Sequence, residues 1–343
     1  MWFRTHTKTF ALILLIAILI SIPISVFFGS ADLTASEVME VFFCKLFPSH
    51  YPNANLGNRG VIVWNLRLPR ILLAIAGGCA LAVCGVAMQS TTRNIMAEPY
   101  TLGVSSGASA AAALYFSRFE GVFNIPFGVN TFAFLGAFLS LLLVYALASR
   151  KNYASNYKLI LTGIIISMIF TALRQLIVAT TYNPNKVNSI TMWEMGAFGA
   201  ARWNNILIPI VATLIGTIVL MFLSEQLNIL AVGEQTAITL GVSIKTLQRI
   251  VIIVTSLMVG VVVSASGLIS FVGLIIPHIV RKIVGSDHRK VMPITALTGA
   301  LFMIWMDVIA RTIIAPDELA VGVLTSMVGG PFLLVLMLRK ERG

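Results

Sequence analysis

The sequence predicts an all-α membrane protein that crosses the bilayer about ten times. Three observations carry this reading. Of the 343 residues, 58% are hydrophobic and only 11% are charged, whereas charged residues make up about a quarter of an ordinary globular chain. Apolar runs near the ~20 residues that a helix needs to cross hydrocarbon recur along the whole length. The Lys and Arg residues, which give a net charge of +11, sit in short groups between those runs. That placement marks charges flanking membrane helices, not a nucleic-acid surface.

The first run, Phe10–Phe28, follows Arg4 and Lys8. It exceeds the ~7–15 apolar residues of a signal peptide and reads as a retained first span. Further runs centre on residues 71–88, 100–116, 132–148, 159–179, 206–223, 250–264, 268–284, 291–314 and 319–338. Only Ser266 and Gly267 separate the seventh from the eighth. An even number places both termini on one side. The whole of residues 1–343 reads as one transmembrane domain, without low-complexity tracts or a soluble module.

Basic residues orient the chain. Arg4, Lys8, Arg93, Arg150, Lys151, Lys158, Lys245, Arg249, Arg281, Lys282, Arg289, Lys290, Arg339, Lys340 and Arg342 fall on the side of the N-terminus. Fewer fall opposite: Lys45, Arg59, Arg67, Arg70, Arg118, Lys186, Arg202 and Arg311. The richer side is therefore expected to be cytoplasmic, with both termini there. The other side carries the loop Gly29–Leu66 and the stretch Thr180–Asn205. Within the latter, Ile190–Phe198 is too short to span and predicts a short helix at the outer mouth.

Leu227–Arg249 interrupts the hydrophobic blocks on the cytoplasmic side. Leu227, Leu230, Ala231, Ala237, Ile238 and Leu240 recur at helical spacing, and Gly233 and Gly241 divide the stretch, as glycine does at helix ends. It reads either as a helical linker lying on the surface or as a knob that receives a soluble partner.

Support for catalysis is thin. Gly103-Val104-Ser105-Ser106-Gly107 matches the nucleophile-elbow pattern, which needs a strand before it, yet here it sits inside an apolar helical span. An intramembrane serine protease using Ser105 or Ser106 is the reading from another class. No Gly-Lys pair occurs, so the P-loop that binds ATP is missing from the sequence. Cys44, Cys79 and Cys84 make no metal spacing, and Cys79 and Cys84 read as packed thiols. His278 reads as a satisfied interfacial histidine, because no second ligand lies at helical spacing; no metal or other cofactor is expected on this chain. Transport fits better. Pro23, Pro69, Pro99, Pro209, Pro277, Pro293 and Pro331 lie in or beside spans, where broken backbone is tolerated facing protein or a wet cavity. Few acidic residues lie inside spans: Glu98 near a cytoplasmic end and Asp307 toward the outer end. A proton- or sodium-driven carrier needs more intramembrane carboxylates, so an external energy source is expected.

Several stretches carry a family resemblance: Leu66-Arg67-Leu-Pro-Arg70, Gly85-Val-Ala-Met-Gln89, Arg93-Asn94 through Gly103, Leu227-Asn228-Ile-Leu230 with Gly233-Glu234, Ala237 and Leu240-Gly241-Val242, Gly267 through Arg281, Asp307 with Ala310-Arg311, and Gly322 through Phe332. Together they resemble the FecCD-type permeases of type II ABC importers, which take up ferric siderophores, haem and cobalamin. The resemblance covers almost the whole chain. Ile95, where the family commonly has proline, and Arg174-Gln175, in a usually less polar span, depart from it.

The resemblance implies the type II importer permease fold, pairing with a second copy or a paralogous permease, and two ATPase subunits that bind ATP and Mg on the segment of Leu230, Gly233, Glu234, Ala237, Leu240 and Gly241. It implies a binding protein that meets Arg67, Arg70 and Arg311 at the outer face, and a site in the inner membrane of a prokaryote. A molybdate- or tungstate-type importer on the same fold is the alternative cargo. From the residues alone, Arg67 and Arg70 also read as snorkelling anchors. Gly103–Ala113 reads as a small-residue packing face or as pathway lining. Gln89 and Asn94 read as gate residues or helix-terminus hydrogen-bonders. Trp193 and Met195 are the pathway candidates of the short outer helix. Arg174 lies past the midplane and either snorkels outward or turns into the pathway as a cation.

Overall fold

The computed structural model describes residues 6–29, 33–47, 56–122, 128–148 and 156–340. Arg4, Arg150, Lys151 and Arg342 lie outside them, as do the side chains of Arg339 and Lys340. Among the described residues every regular element is helical. In chain order these are α1 (Thr7–Phe27), α2 (Ala35–Leu46), α3 (Gly57–Thr92), α4 (Val104–Leu114), α5 (Val129–Ala148), α6 (Asn156–Ala179), α7 (Pro184–Met195), α8 (Trp203–Phe222), α9 (Ser224–Val232), α10 (Glu234–Thr239), α11 (Ile244–Ser266), α12 (Val272–Val284), α13 (His288–Thr312) and α14 (Val321–Lys340).

Each apolar run of the sequence coincides with one of these helices. Seven are long and apolar enough to cross a membrane: α1, α3, α5, α6, α8, α11 and α13. α4, α12 and α14 occupy the remaining runs, α4 and α12 being shorter. α12 begins late because Gly267 and Phe271 both take positive φ, near 70°, so Leu268–Phe271 is not helical. The separation of the seventh and eighth runs is therefore wider than Ser266 and Gly267 alone. Protein groups meet the freed backbone there, as buried non-helical chain requires. Ala197 N–H donates to the Ser266 carbonyl at 2.7 Å, Gly322 N–H to the Gly196 carbonyl at 3.1 Å, and Ile269 N–H to the Tyr100 hydroxyl at 3.3 Å.

Among the described residues, the loop expected over Gly29–Leu66 is largely helical. Thr34 and Glu37 form a capping box that starts α2. α3 begins at Gly57, well before the predicted second run, and passes through Pro69. A proline ring inside an α-helix clashes with the carbonyl four residues back. Here the turn before it, Val61–Arg67, widens to π geometry, with Leu68 N–H reaching the Val63 carbonyl. That widening makes room for the ring, so Pro69 lies within a helix that the sequence seemed to start there.

α3 is the axis of the bundle: it packs against α8, α11, α12 and α13, and 83% of its spanning window is buried against 11% for α6. Small residues permit the contact. A Cβ on Gly85 would fall 2.0 Å from the Gly273 carbonyl oxygen, and one on Gly107 would fall 2.3 Å from that of Gly136. The second pair, with Ala108, Ala110, Ala112 and Ala113 buried, makes Gly103–Ala113 a packing face.

Candidate functional site

Contacts sort the helix ends into two groups. The start of α1, the end of α3, α9, α10, and the starts of α11 and α13 share one end. The end of α1, Arg67 and Arg70 of α3, the start of α8 and the end of α13 share the other. Polar clusters occupy both, and a third lies where α6 meets α7.

At the end holding Arg67, the buried Asp307 carboxylate forms ion pairs with two arginines. Arg70 Nε donates at 2.9 Å and Arg311 Nε lies 3.1 Å away. Arg70 Nη1 also donates to Glu318 at 2.6 Å. Arg67 Nη1 donates to the Val26 carbonyl at 2.6 Å, and Arg311 Nη1 to that of Phe28 at 3.0 Å, so both fasten the end of α1. Arg67, Arg70 and Arg311 are only 5%, 7% and 2% exposed. They are therefore not snorkelling anchors: within this chain their charge is met by Asp307, Glu318 and helix-end carbonyls. They still line a cavity of about 240 Å³, together with Arg202 and Glu318. Arg202 is the exposed arginine of that cavity, held by the Gly199 and Ala201 carbonyls.

The third cluster lies where α6 meets α7. Arg174 neither snorkels nor stands as a solvated cation. Its Nε and Nη2 both donate to Glu194 of α7, which also accepts from Ser109 Oγ of α4. Glu194 and Met195 line a cavity of about 510 Å³ with Leu268, Ser270, Gly322 and Met327. Trp193 packs half-buried against the core instead. Ser106 Oγ donates to the Gly103 carbonyl at 3.0 Å inside the helix, and Ser105 sits one residue before it in the same turn. A 3-10 turn, Pro99–Leu102, precedes them where a nucleophile elbow needs a strand. The nucleophile-elbow reading therefore fails on geometry.

At the end holding α9 and α10, Gln89 is buried. Its Nε2 donates to the Gly273 carbonyl at 3.0 Å, and its Oε1 accepts from Arg281 Nη1. Asn94 lies in the turn after α3, where its Oδ1 accepts from Met96 N–H at 2.9 Å, a local Asx-turn bond. Gly233 separates α9 from α10, and Gly241, with φ 79°, ends the turn after α10, as the glycine spacing predicts. Leu230 and Ala237 are buried in the chain's own body, whereas Val232, Ile238 and Leu240 are exposed. Leu230 and Ala237 therefore seat the knob; its outer surface is Val232, Glu234, Ile238 and Leu240. His278 is corrected too. It meets Phe332 edge-on with ring centroids 6.1 Å apart, and its Nε2 has no hydrogen-bond partner among the described residues.

Asp287 caps α13, accepting from Arg289 N–H at 3.0 Å. Burial pushes its carboxyl up, but hydrogen bonds from Asn228 and Arg289 and the Arg289 charge outweigh that and hold it below its usual value. Asn228, His288, Glu194 and Glu318 carry no role in the sequence reading. Glu194 had a signal: an arginine deep in a span needs a partner, and the short outer helix holds an acidic residue.

The profile of the FecCD transport family matches residues 13–339. The hemin transport system permease protein HmuU of Yersinia pestis is 36% identical, over 81% of this chain and 84% of that protein. The molybdate import system permease protein MolB of Haemophilus influenzae is 36% identical, over 82% of each chain. Among solved structures, an ABC transporter assigned to the metal-chelate type, in an inward-facing conformation, superposes with a TM-score of 0.83 at 31% identity, covering 97% of this chain and 99% of that one.

Proposed function

The chain belongs to the FecCD transport family and is a permease subunit of an ABC importer; we propose that its cargo is a chelated metal or a corrinoid, such as a ferric siderophore, haem or cobalamin. The observation that carries this cargo class is the pairing of Arg174 with Glu194. It leaves the adjoining cavity, walled by Met195, Leu268, Gly322 and Met327, without an uncompensated cation. A small bare oxyanion needs unpaired donors to replace its water. A large chelate with an apolar body needs a wide wall of low net charge.

In this reading the chain spans the membrane ten times, with α4 and α12 as short spans and α14 as the last, and both termini are cytoplasmic. Two copies, or this chain and a paralogous permease, flank the pathway. Two separate ATPase subunits hold ATP and Mg and dock on Val232, Glu234, Ile238 and Leu240, with Gly233 and Gly241 setting the angle of the knob. A binding protein docks on the opposite end, where Arg202 is the exposed cation and the cavity beside Arg67, Arg70 and Arg311 keeps a positive balance. Gln89 and Asn94 lie at the inner mouth.

The test is ATP-dependent uptake into proteoliposomes holding the permease, its ATPase and its binding protein. Haem, a ferric hydroxamate, cobalamin and molybdate are offered in turn. Uptake of one of the first three supports the cargo class, and uptake of molybdate alone overturns it.

A further inference from the structure

A chain of side-chain hydrogen bonds runs from the knob to the end of α3. Asn228 of α9 donates through Nδ2 to Asp287 Oδ1 at 2.7 Å. Its Oδ1 accepts from the backbone N–H of His288 at 2.8 Å and faces His288 Nδ1 at 2.6 Å. The backbone N–H can only donate, so the oxygen of Asn228 must point at it, and His288 Nδ1 must then carry a hydrogen. His288 Nε2 is left as an acceptor facing Ser90 Oγ, its partner on α3, whose one hydroxyl hydrogen is shared between that nitrogen and the Val86 carbonyl at 2.8 Å. His288 is buried, as is Ser90, one residue beyond Gln89. Gln89 in turn binds the Gly273 carbonyl and Arg281 of α12. The imidazole thus touches α9 with one nitrogen and α3 with the other.

We propose that His288 is a positioning residue that couples the ATPase-docking knob to the inner end of α3. The proposal rests on the docking reading given above. Apolar packing alone lets α9 slide against α3, since dispersion contacts are not directional. A two-sided hydrogen-bonded ring fixes distance and angle, because misaligned bonds weaken steeply. A shift of α9 driven by the ATPase then moves Ser90 and Gln89, and with Gln89 the contact to α12. The linkage has a specific cost if cut: the Asn228 oxygen keeps the backbone N–H, so α9 stays seated, while the connection to α3 is lost. Seating and transmission are thereby separable.

The experiment uses the full complex with its ATPase in proteoliposomes. Ile95, exposed just beyond the end of α3, is replaced by cysteine, and its labelling by a membrane-impermeant maleimide is followed with and without a non-hydrolysable ATP analogue. With His288 present, the analogue is expected to change the labelling rate at least about fivefold, the lower range of coupling between linked sites. His288→Ala should abolish that change while the ATPase still co-purifies. Ser90→Ala, which removes only the last hydroxyl, should do the same if His288→Ala fails to fold. An unchanged nucleotide response in either variant, or no response with His288 present, overturns the proposal. Leu240→Asp separates the two readings: retention of the ATPase in that variant removes the docking surface, whereas a failed response with the ATPase bound concerns His288 alone.

Discussion

Arg174 and Glu194 stand twenty residues apart and meet as a two-pronged ion pair, Nε to Oε1 and Nη2 to Oε2. The pair ties α6 to α7, and Ser109 extends the tie to α4. Removing one member leaves the other partly buried without its counter-charge, which is worse than removing both. Arg174→Gln should therefore cut ATP-driven uptake by about tenfold or more, and adding Glu194→Gln should recover part of it. Uptake by the single variant equal to wild type would show that the pair is incidental to transport.

The outer arginines lead to a different expectation from that of a simple docking rim. Asp307 serves Arg70 and Arg311 together. Asp307→Ala takes the carboxylate from the buried Arg311 and leaves Arg70 with Glu318 alone, and breaking such a cluster costs about 3–5 kcal/mol. The purified variant should melt well below wild type in detergent. Arg202→Glu, at the exposed lip of the same cavity, should leave melting unchanged and weaken capture of the binding protein, more at low salt than at high. Normal melting of Asp307→Ala would mean that water, not the carboxylate, solvates the two arginines.

The helices and their order were legible because hydrophobic run length is a strong, local signal, and membrane hydrocarbon enforces it. The knob was legible from Gly233 and Gly241. What the sequence concealed is pairing across distance. Asp307 is near Arg311 in sequence, one helical turn away, but Arg70 reaches it from 237 residues off. Burial of Leu230 and Ala237 was hidden as well. Apolar residues on a short amphipathic helix look alike whether they face a partner or their own core, and only packing decides. The passage of α3 through Pro69 was masked by a rule that is right for α-helices and relaxed by a π turn.

The knob yields a contrast between neighbours. Ala237 is fully buried and Leu240 is 62% exposed. Ala237→Asp places a carboxylate in the chain's own interior, which costs several kcal/mol, so it should lower the melting temperature of the isolated permease. Leu240→Asp should not, yet it should release the ATPase during purification. Loss of the ATPase from both variants with no change in melting would mean that Ala237 opens to the surface in the assembled transporter.

Asp287 gives a pH dependence whose sign follows from its lowered pKa. Hydrogen bonds from Asn228 and the Arg289 N–H favour the charged carboxylate in the folded chain. The unfolded chain binds its proton at the ordinary value of 3.8, the folded chain only below that. Between the two the unfolded state holds more protons, so stability falls as pH falls. The contribution is complete above 3.8 and lost as pH drops through the folded value. Asp287→Asn keeps an oxygen for the cap and for Asn228 but cannot titrate. Melting in detergent from about pH 6 down to about pH 3 should therefore drop less steeply in the variant than in wild type. Because the side chain is 38% exposed, water screens part of the effect and the difference should shrink further in high salt. Parallel melting curves for the two proteins over that range would place the acid sensitivity of the fold on other carboxylates.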